Sequence, residues 1–296
     1  MTQPADTSGL RAEVALDAHA EVAEGPVWDV KAGQLVWVDI PRGEIHRFDP
    51  TEGTDQVTQV GQPVGALALR ARGGLLLAVR DGFAELADGQ LRMIAEVESD
   101  RSENRMNDGK VDPAGRFWAG TMALDSAPGA GALYRLDTDR SVETMLTGLT
   151  ISNGIDWSPD GTTMYFIDST PGTVTAYAYD RHTGAISEPR TALEIPPDDG
   201  MPDGMTVDSE GCLWVAIWGG SAVRRYAPDG KQLARVELPA TQVTSCAFGG
   251  ADLRDLYITT ASVGLSAAER AGQPHAGALF CVRTEVGGRE PNRCQI

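Results

Sequence analysis

Basic residues are scarce. The 296-residue chain carries 25 Lys and Arg against 42 Asp and Glu, a formal charge of −17. Nucleic acid and anionic membranes are bound through clustered cations, so neither is an expected partner. Neutral small molecules and cations are compatible with such a surface. Apolar runs of membrane-spanning length are missing. Met1–Gly9 is short, polar and acidic, without the basic start and apolar centre of a signal peptide. A soluble, cytoplasmic protein is expected, monomeric or weakly self-associating. No C-x-x-C pair occurs among Cys212, Cys246, Cys281 and Cys294. The first three lie in apolar runs, where a cysteine is a small buried hydrophobe, which argues against thiolate metal sites. A G-x-S-x-G elbow, a P-loop, an H-E-x-x-H pair and an EF-hand loop are all absent. His19, His46, His182 and His275 are scattered and read as surface or packing residues.

Helical periodicity is sparse as well. What the chain has is short β-rich runs, such as Val36–Ile40, Leu75–Val79, Met164–Ile167 and Leu213–Ile217, separated by Gly, Asp, Asn and Pro. Hydrophobic residues make up 42% of the chain, enough for a sizeable core. Aligning the polar segments exposes a repeat. Asn153-Gly-Ile-Asp-Trp-Ser-Pro-Asp-Gly161 matches Asp203-Gly-Met-Thr-Val-Asp-Ser-Glu-Gly211 and Asn107-Asp-Gly-Lys-Val-Asp-Pro-Ala-Gly115 without a gap. Glu24-Gly-Pro-Val-Trp-Asp29 begins the same way, and Gly65 and Thr244 start degenerate copies. The six starts are 41, 42, 46, 50 and 41 residues apart. A period of roughly 40–50 residues with about four strands per unit is that of a propeller blade. The expected fold is all-β: a six-bladed β-propeller with four-stranded blades and a central channel. Residues 13–296 are expected to form it, after a disordered tail over residues 1–12. Glu13–Leu16, left over before the first repeat, is expected to close the last blade.

In such a fold the six starts, Glu24, Gly65, Asn107, Asn153, Asp203 and Thr244, form a ring at one mouth of the channel. Four of them offer carboxylate or amide oxygens, a set suited to a hard divalent cation such as calcium, magnesium or manganese. Zinc also accepts carboxylates. Taken singly, each Asp-Gly or Asn-Gly is an ordinary turn dipeptide. The densest polar segment is Asn104–Met122. Arg105 stands two residues before Asn107, so strand alternation aims both to one side. A guanidinium there serves either substrate oxygens or an ion pair with Asp100 or Glu103. Asp125 and the Pro/Gly loop behind it suit a lid or a plain connector.

These motifs, with Ile151-Ser-Asn-Gly-Ile-Asp-Trp157 and Thr244-Ser-Cys-Ala-Phe-Gly-Gly250, give the chain a family resemblance. It resembles the gluconolactonase-like propellers that include regucalcin, also called senescence marker protein, over about residues 13–282. The resemblance implies one divalent ion (calcium, zinc, manganese or magnesium) held by Glu24, Asn153 and Asp203. It implies Asp203 as the general base, and Arg105 and Asn107 as substrate contacts. The implied activity is hydrolysis of sugar lactones to aldonic acids. Asp125 aligns where regucalcin-like members carry a substrate-contacting Glu one methylene longer, so the sugar is left open. Two other activities fit the same residues: organophosphate hydrolysis on the same metal site, and a non-enzymatic calcium-binding regulator.

Overall fold

The first strands of six sheets stand side by side and close into a ring. A computed structural model describes residues 8–296. Among these there are six sheets, four of which take four consecutive strands in chain order, as in Asn104–Val111, Phe117–Ala123, Gly131–Leu136 and Val142–Leu149. Ala23–Asp29, Val64–Leu69, Asn104–Val111, Ser152–Trp157, Met201–Val207 and Val243–Gly249 each touch the first strands of both neighbouring blades. The fold is the six-bladed β-propeller that the repeat predicts.

The order of burial follows composition. Second strands such as Leu75–Val79 and Phe117–Ala123 are buried throughout and read as continuous apolar runs, as strands covered on both faces do. Outermost strands such as Thr54–Gln59 are mostly exposed and polar. The core lies between blades. Trp118 and Trp157, from blades 3 and 4, meet edge to face with centroids 5.9 Å apart, and Trp214 of blade 5 meets Phe248 of blade 6 likewise at 5.8 Å. Asp112 and Asp208, both five residues after a repeat start, are fully buried. Asp112 accepts hydrogen bonds from the N–H of Ala114 and Arg116, the Trp118 indole and the Tyr179 hydroxyl. Asp208 accepts the matching set from Glu210, Cys212 and the Trp214 indole. A buried carboxylate is tolerated when its lone pairs are used this fully.

Glu13–Leu16 pairs antiparallel with Leu279–Arg283 and completes blade 6, as expected. The expectation of a disordered tail through residue 12 needs correction. Ser8–Arg11 pairs parallel to the outermost strand of blade 5, Gln232–Glu237, and covers its edge. The tail's earlier residues lie outside the described ones.

Residues 284–296 run across the lower end of the channel. Arg289 donates to the Trp157 carbonyl, Asn292 to the Val111 carbonyl and the Cys294 N–H to the Leu69 carbonyl, which ties blades 4, 3 and 2 together. All four cysteines are free thiols. His46 is a packing residue, stacked on Trp37 and bonded to Asp55. Among the described residues no helix is long and apolar enough to cross a membrane.

Candidate metal and substrate site

Every first strand breaks register at its repeat start. The shifts fall between Glu24 and Val27, Val64 and Ala66, Met106 and Gly109, Ser152 and Ile155, Pro202 and Met205, and Val243 and Ser245. A bulge bends a strand and re-aims a side chain. The Asn-Gly and Asp-Gly pairs are therefore bulges inside strands and not turns. Their glycines admit a neighbour. A Cβ at Gly204 would lie 2.1 Å from the Ser245 hydroxyl, and one at Gly65 would lie 2.4 Å from the Asn107 carbonyl oxygen. Crowding by blade 3 thus explains why the copy starting at Gly65 carries no side chain.

Glu24, Asn107, Asn153 and Asp203 are all buried at this level, 4–7% exposed. Glu24 and Asp203 come from blades 1 and 5, yet their carboxyl groups lie close enough to perturb one another. Burial pushes the Glu24 carboxyl well above the ordinary range, and the charges of Asp203 and Asp108 push it further. Asp203 is raised in the same way, by burial and then by Asp108, against a pull from Arg105. The Gly25 N–H donates to Glu24 at 2.8 Å and fixes one of its oxygens.

A chain of hydrogen bonds forms the other side. Arg105 Nη1 donates to Asn107 Oδ1 at 2.6 Å, and Asn107 Nδ2 donates to Asn153 Oδ1 at 3.0 Å. Asn153 Nδ2 donates to Ser169 Oγ at 2.8 Å, and Ser169 donates on to the Pro202 carbonyl next to Asp203. Both amides are thereby oriented. Two more carboxylates hold the backbone leading in. Asp39 accepts from the N–H groups of Glu21 and Val22, and Asp168 from those of Thr150 and Ile151. Arg105 makes no ion pair with Asp100 or Glu103 among the described residues. Its charge is felt at Asp203 and Glu24, and burial lowers its pKa to about 10.

The donors are all oxygens. Asn153 Oδ1 keeps a lone pair after accepting from Asn107, and Glu24 and Asp203 are anionic once deprotonated. Two carboxylates and an amide fit a hard divalent cation. Among the described residues no three His, Cys, Asp or Glu side chains gather as a metal group, so the amide is needed to complete the set.

A family model for the SMP-30/gluconolactonase/LRE-like region matches residues 22–262. The chain belongs to this family. It is 41% identical over 278 residues to the "Putative sugar lactone lactonase YvrE" of Bacillus subtilis (strain 168), covering 93% of this chain and 95% of that one. It is 41% identical over 281 residues to regucalcin of Xenopus laevis, covering 92% and 94%. Among solved structures, a calcium-binding regucalcin from Agrobacterium tumefaciens superposes with a TM-score of 0.93 at 33% identity, over 97% of this chain and 98% of that one. A gluconolactonase from Xanthomonas campestris superposes at 0.74 with 26% identity, over 91% and 88%.

Within this family member the predicted residues do not all converge. Glu24, Arg105, Asn107, Asn153 and Asp203 do. Thr244, a ring position predicted to offer neither carboxylate nor amide, donates its hydroxyl to the Ala23 carbonyl beside Glu24 and bonds Thr259. Asp125 is exposed on the loop after Phe117–Ala123, and its carboxylate accepts the N–H of Ala127 within its own turn. Two contributors escaped the sequence reading. Asp108 adds negative charge beside Glu24 and Asp203, but in sequence it is one more Asp-Gly. Ser169 orients Asn153 from a different strand end, and nothing local marks it.

Proposed function

We propose that the protein is a metal-dependent lactonase that opens a sugar lactone to its hydroxy acid. One observation carries this reading: two neighbouring, buried carboxyl groups, Glu24 and Asp203, set against a hydrogen-bonded chain from Arg105 to Asn153. The relatives named as a sugar lactone lactonase and a gluconolactonase support it. Glu24, Asn153 and Asp203 would hold a divalent cation. Bound there, such a cation supplies Lewis-acid stabilisation of the charge that develops on the lactone carbonyl oxygen.

The remaining chemistry belongs to the chain. Asp203 accepts a proton from a water molecule as that water's oxygen bonds to the carbonyl carbon. The ring C–O bond then breaks, and the proton passes to the departing alkoxide oxygen, which leaves a carboxylic acid and an alcohol in one open chain. Arg105 donates to the hydroxyls or ring oxygen of the substrate, and Asn107, locked by Arg105 and Asn153, fixes its register. Burial keeps water from competing for these hydrogen bonds. A calcium-binding regulator without turnover would leave the Arg105–Asn107–Asn153 chain without a role.

The test is protein stripped by chelation, reloaded separately with calcium, magnesium, manganese or zinc, and assayed by proton release on five- and six-membered aldonolactones. Chelation is expected to abolish turnover and at least one cation to restore it. Full turnover in the stripped protein refutes the metal dependence. Absence of turnover on every lactone with metal bound, as measured by calorimetry, refutes the lactonase reading and leaves a binder.

A further inference from the structure

The residues two positions before each repeat start form a second ring. Val22, Pro63, Arg105, Ile151, Met201 and Gln242 occupy this position, and in all six copies exposure follows one pattern: a half-buried residue (exposed at Met201), then two buried ones. The contact of the Arg105 side chain with the Asn107 side chain shows that this position and the repeat start share one side of the strand. The six therefore rim the mouth above Glu24, Asn153 and Asp203. Their chemistry is lopsided. Arg105 is the single cation. The Gln242 amide is held by the Val263 carbonyl at 2.9 Å. The other four are apolar.

Blades 4 and 5 extend the apolar half. Met201 is 40% exposed, unusual for a methionine beside a buried carboxylate. It pairs across the sheet with the partly exposed Trp218, and Trp218 bridges in turn to Gln242 of blade 6. Directly paired residues on neighbouring strands point to the same face, so Met201 and Trp218 form one wall. Ile151 continues the rim from blade 4, bridged to Met122, the cross-strand partner of Arg105. A sugar bearing hydroxyls on every carbon has nothing to bond along such a wall, and its hydroxyls would lose water there.

We propose that the substrate is an amphiphilic lactone. Its hydroxylated edge meets Arg105, and an apolar substituent (a deoxy carbon or a short alkyl chain) rests on Ile151, Met201 and Trp218. The proposal rests on the lactonase reading and specifies its substrate class. Methionine suits this role because its thioether adapts to substituents of different shape.

The experiment measures kcat/KM of the metal-loaded enzyme on five-membered lactones: a fully hydroxylated aldonolactone, its terminally deoxygenated counterpart, and a series with alkyl substituents of one to four carbons. Each buried methylene is expected to raise kcat/KM about four-fold, mainly through KM. The deoxy lactone is expected to exceed its hydroxylated parent. Met201→Glu is expected to remove the chain-length slope, and Met201→Leu to retain it. Should Met201→Glu fail to fold by circular dichroism, Met201→Ala, expected to flatten the slope, decides. A flat or falling slope in the wild type, with lactones still turned over, overturns this proposal alone. So does a slope that survives both Met201→Glu and Trp218→Ala. No turnover of any lactone overturns the lactonase reading first, and this proposal with it.

Discussion

The two halves of the central channel are built from the same six strands and hold opposite charge arrangements. In the upper half, Glu24 and Asp203 are neighbours, and both carboxyls are raised above their ordinary range, first by burial and further by Asp108, which lines the cavity below them. Arg105 is the cation that both Glu24 and Asp203 feel, and it is engaged with Asn107. In the lower half, Asp156 is just as enclosed. Burial alone would raise it, yet it is held below the usual carboxylate range because Lys110 and Arg289 outweigh that cost. Lys110 Nζ donates to Asp156 Oδ2 at 3.1 Å and to the Met205 carbonyl at 2.7 Å, and Arg289 reaches Asp156 at 3.2 Å from the C-terminal segment. A cavity of about 80 Å³ lies among these lower groups. Burial is common to both halves and charge balance is not. The compensated half braces blades 3, 4 and 5. The other half holds the strongly perturbed groups, the pattern that functional sites show.

Breaking the upper half should abolish chemistry and spare the fold. Asp203→Asn keeps the size and one oxygen donor but removes the base. With the site shown to be metal-loaded, kcat on the best lactone is expected to fall about 10²–10⁴-fold, the usual worth of a general base. A near wild-type kcat under that condition would leave Asp203 as a ligand and move the base elsewhere. Breaking the lower half should do the reverse. Asp156→Ala strands Lys110 and Arg289, whose side chains are 32% and 28% exposed. The loss of stability is expected at roughly 3 kcal/mol, the low end for breaking a buried pair, because water reaches both cations. Chemical denaturation measures it. Metal affinity by calorimetry should stay within about three-fold, and a larger change would mean that the two halves are coupled.

The two halves also differ in how much of them is legible in the sequence. The repeat spacing makes the blades and the ring of Glu24, Asn153 and Asp203 legible, because six aligned positions must share one level of a propeller. The lower brace is not legible. Lys110 and Asp156 sit at unremarkable strand positions, and their partner Arg289 arrives from a segment of Gly, Pro and polar residues that reads as loop. Ser8–Arg11 was missed for a related reason: its partner strand lies more than 200 residues away, and four residues give no period of their own. Asn-Gly and Asp-Gly looked like turns because local preference favours turns. The approach of neighbouring inner strands, seen at Gly204 and Gly65, is a tertiary fact that decides otherwise.

The charge imbalance also predicts a pH dependence. Glu24 and Asp203 have folded pKa values above their unfolded ones. The folded protein therefore binds more protons than the unfolded chain between those values, and stability falls as pH rises from the ordinary carboxylate range toward neutrality. A cation bound beside these carboxylates would favour their charged forms and remove this penalty. The rise in Tm on adding the activating metal is thus expected to be larger at pH 7.5 than at pH 5, by several degrees. In the metal-free protein, Glu24→Gln should flatten the pH dependence of Tm and weaken metal binding, since it removes one of two anionic ligands. An equal metal-induced shift at both pH values would contradict the assignment of these two groups to the cation.

The smallest expected effect concerns Asp125, which lies outside both halves. Its carboxylate already accepts the Ala127 N–H at 3.0 Å, which shapes the loop between Phe117–Ala123 and Gly131–Leu136. A turn role and a substrate role predict different outcomes for two variants. Asp125→Asn keeps an oxygen that can accept from Ala127 and loses the charge. Asp125→Ala loses both. If Asp125 only shapes the turn, Asn should match wild type and Ala should change kcat/KM for all lactones alike. If the loop brings the carboxylate to a substrate hydroxyl, both variants should lower kcat/KM about three- to ten-fold for lactones with that hydroxyl and little for those without it, as expected for the loss of one hydrogen bond at an exposed position. We expect the second pattern, since the loop follows directly on the strand that pairs with Arg105. The ratio of kcat/KM between a hydroxylated lactone and its deoxy counterpart, measured in the three proteins side by side, reads the difference. An Asn variant indistinguishable from wild type in that ratio assigns Asp125 to the turn.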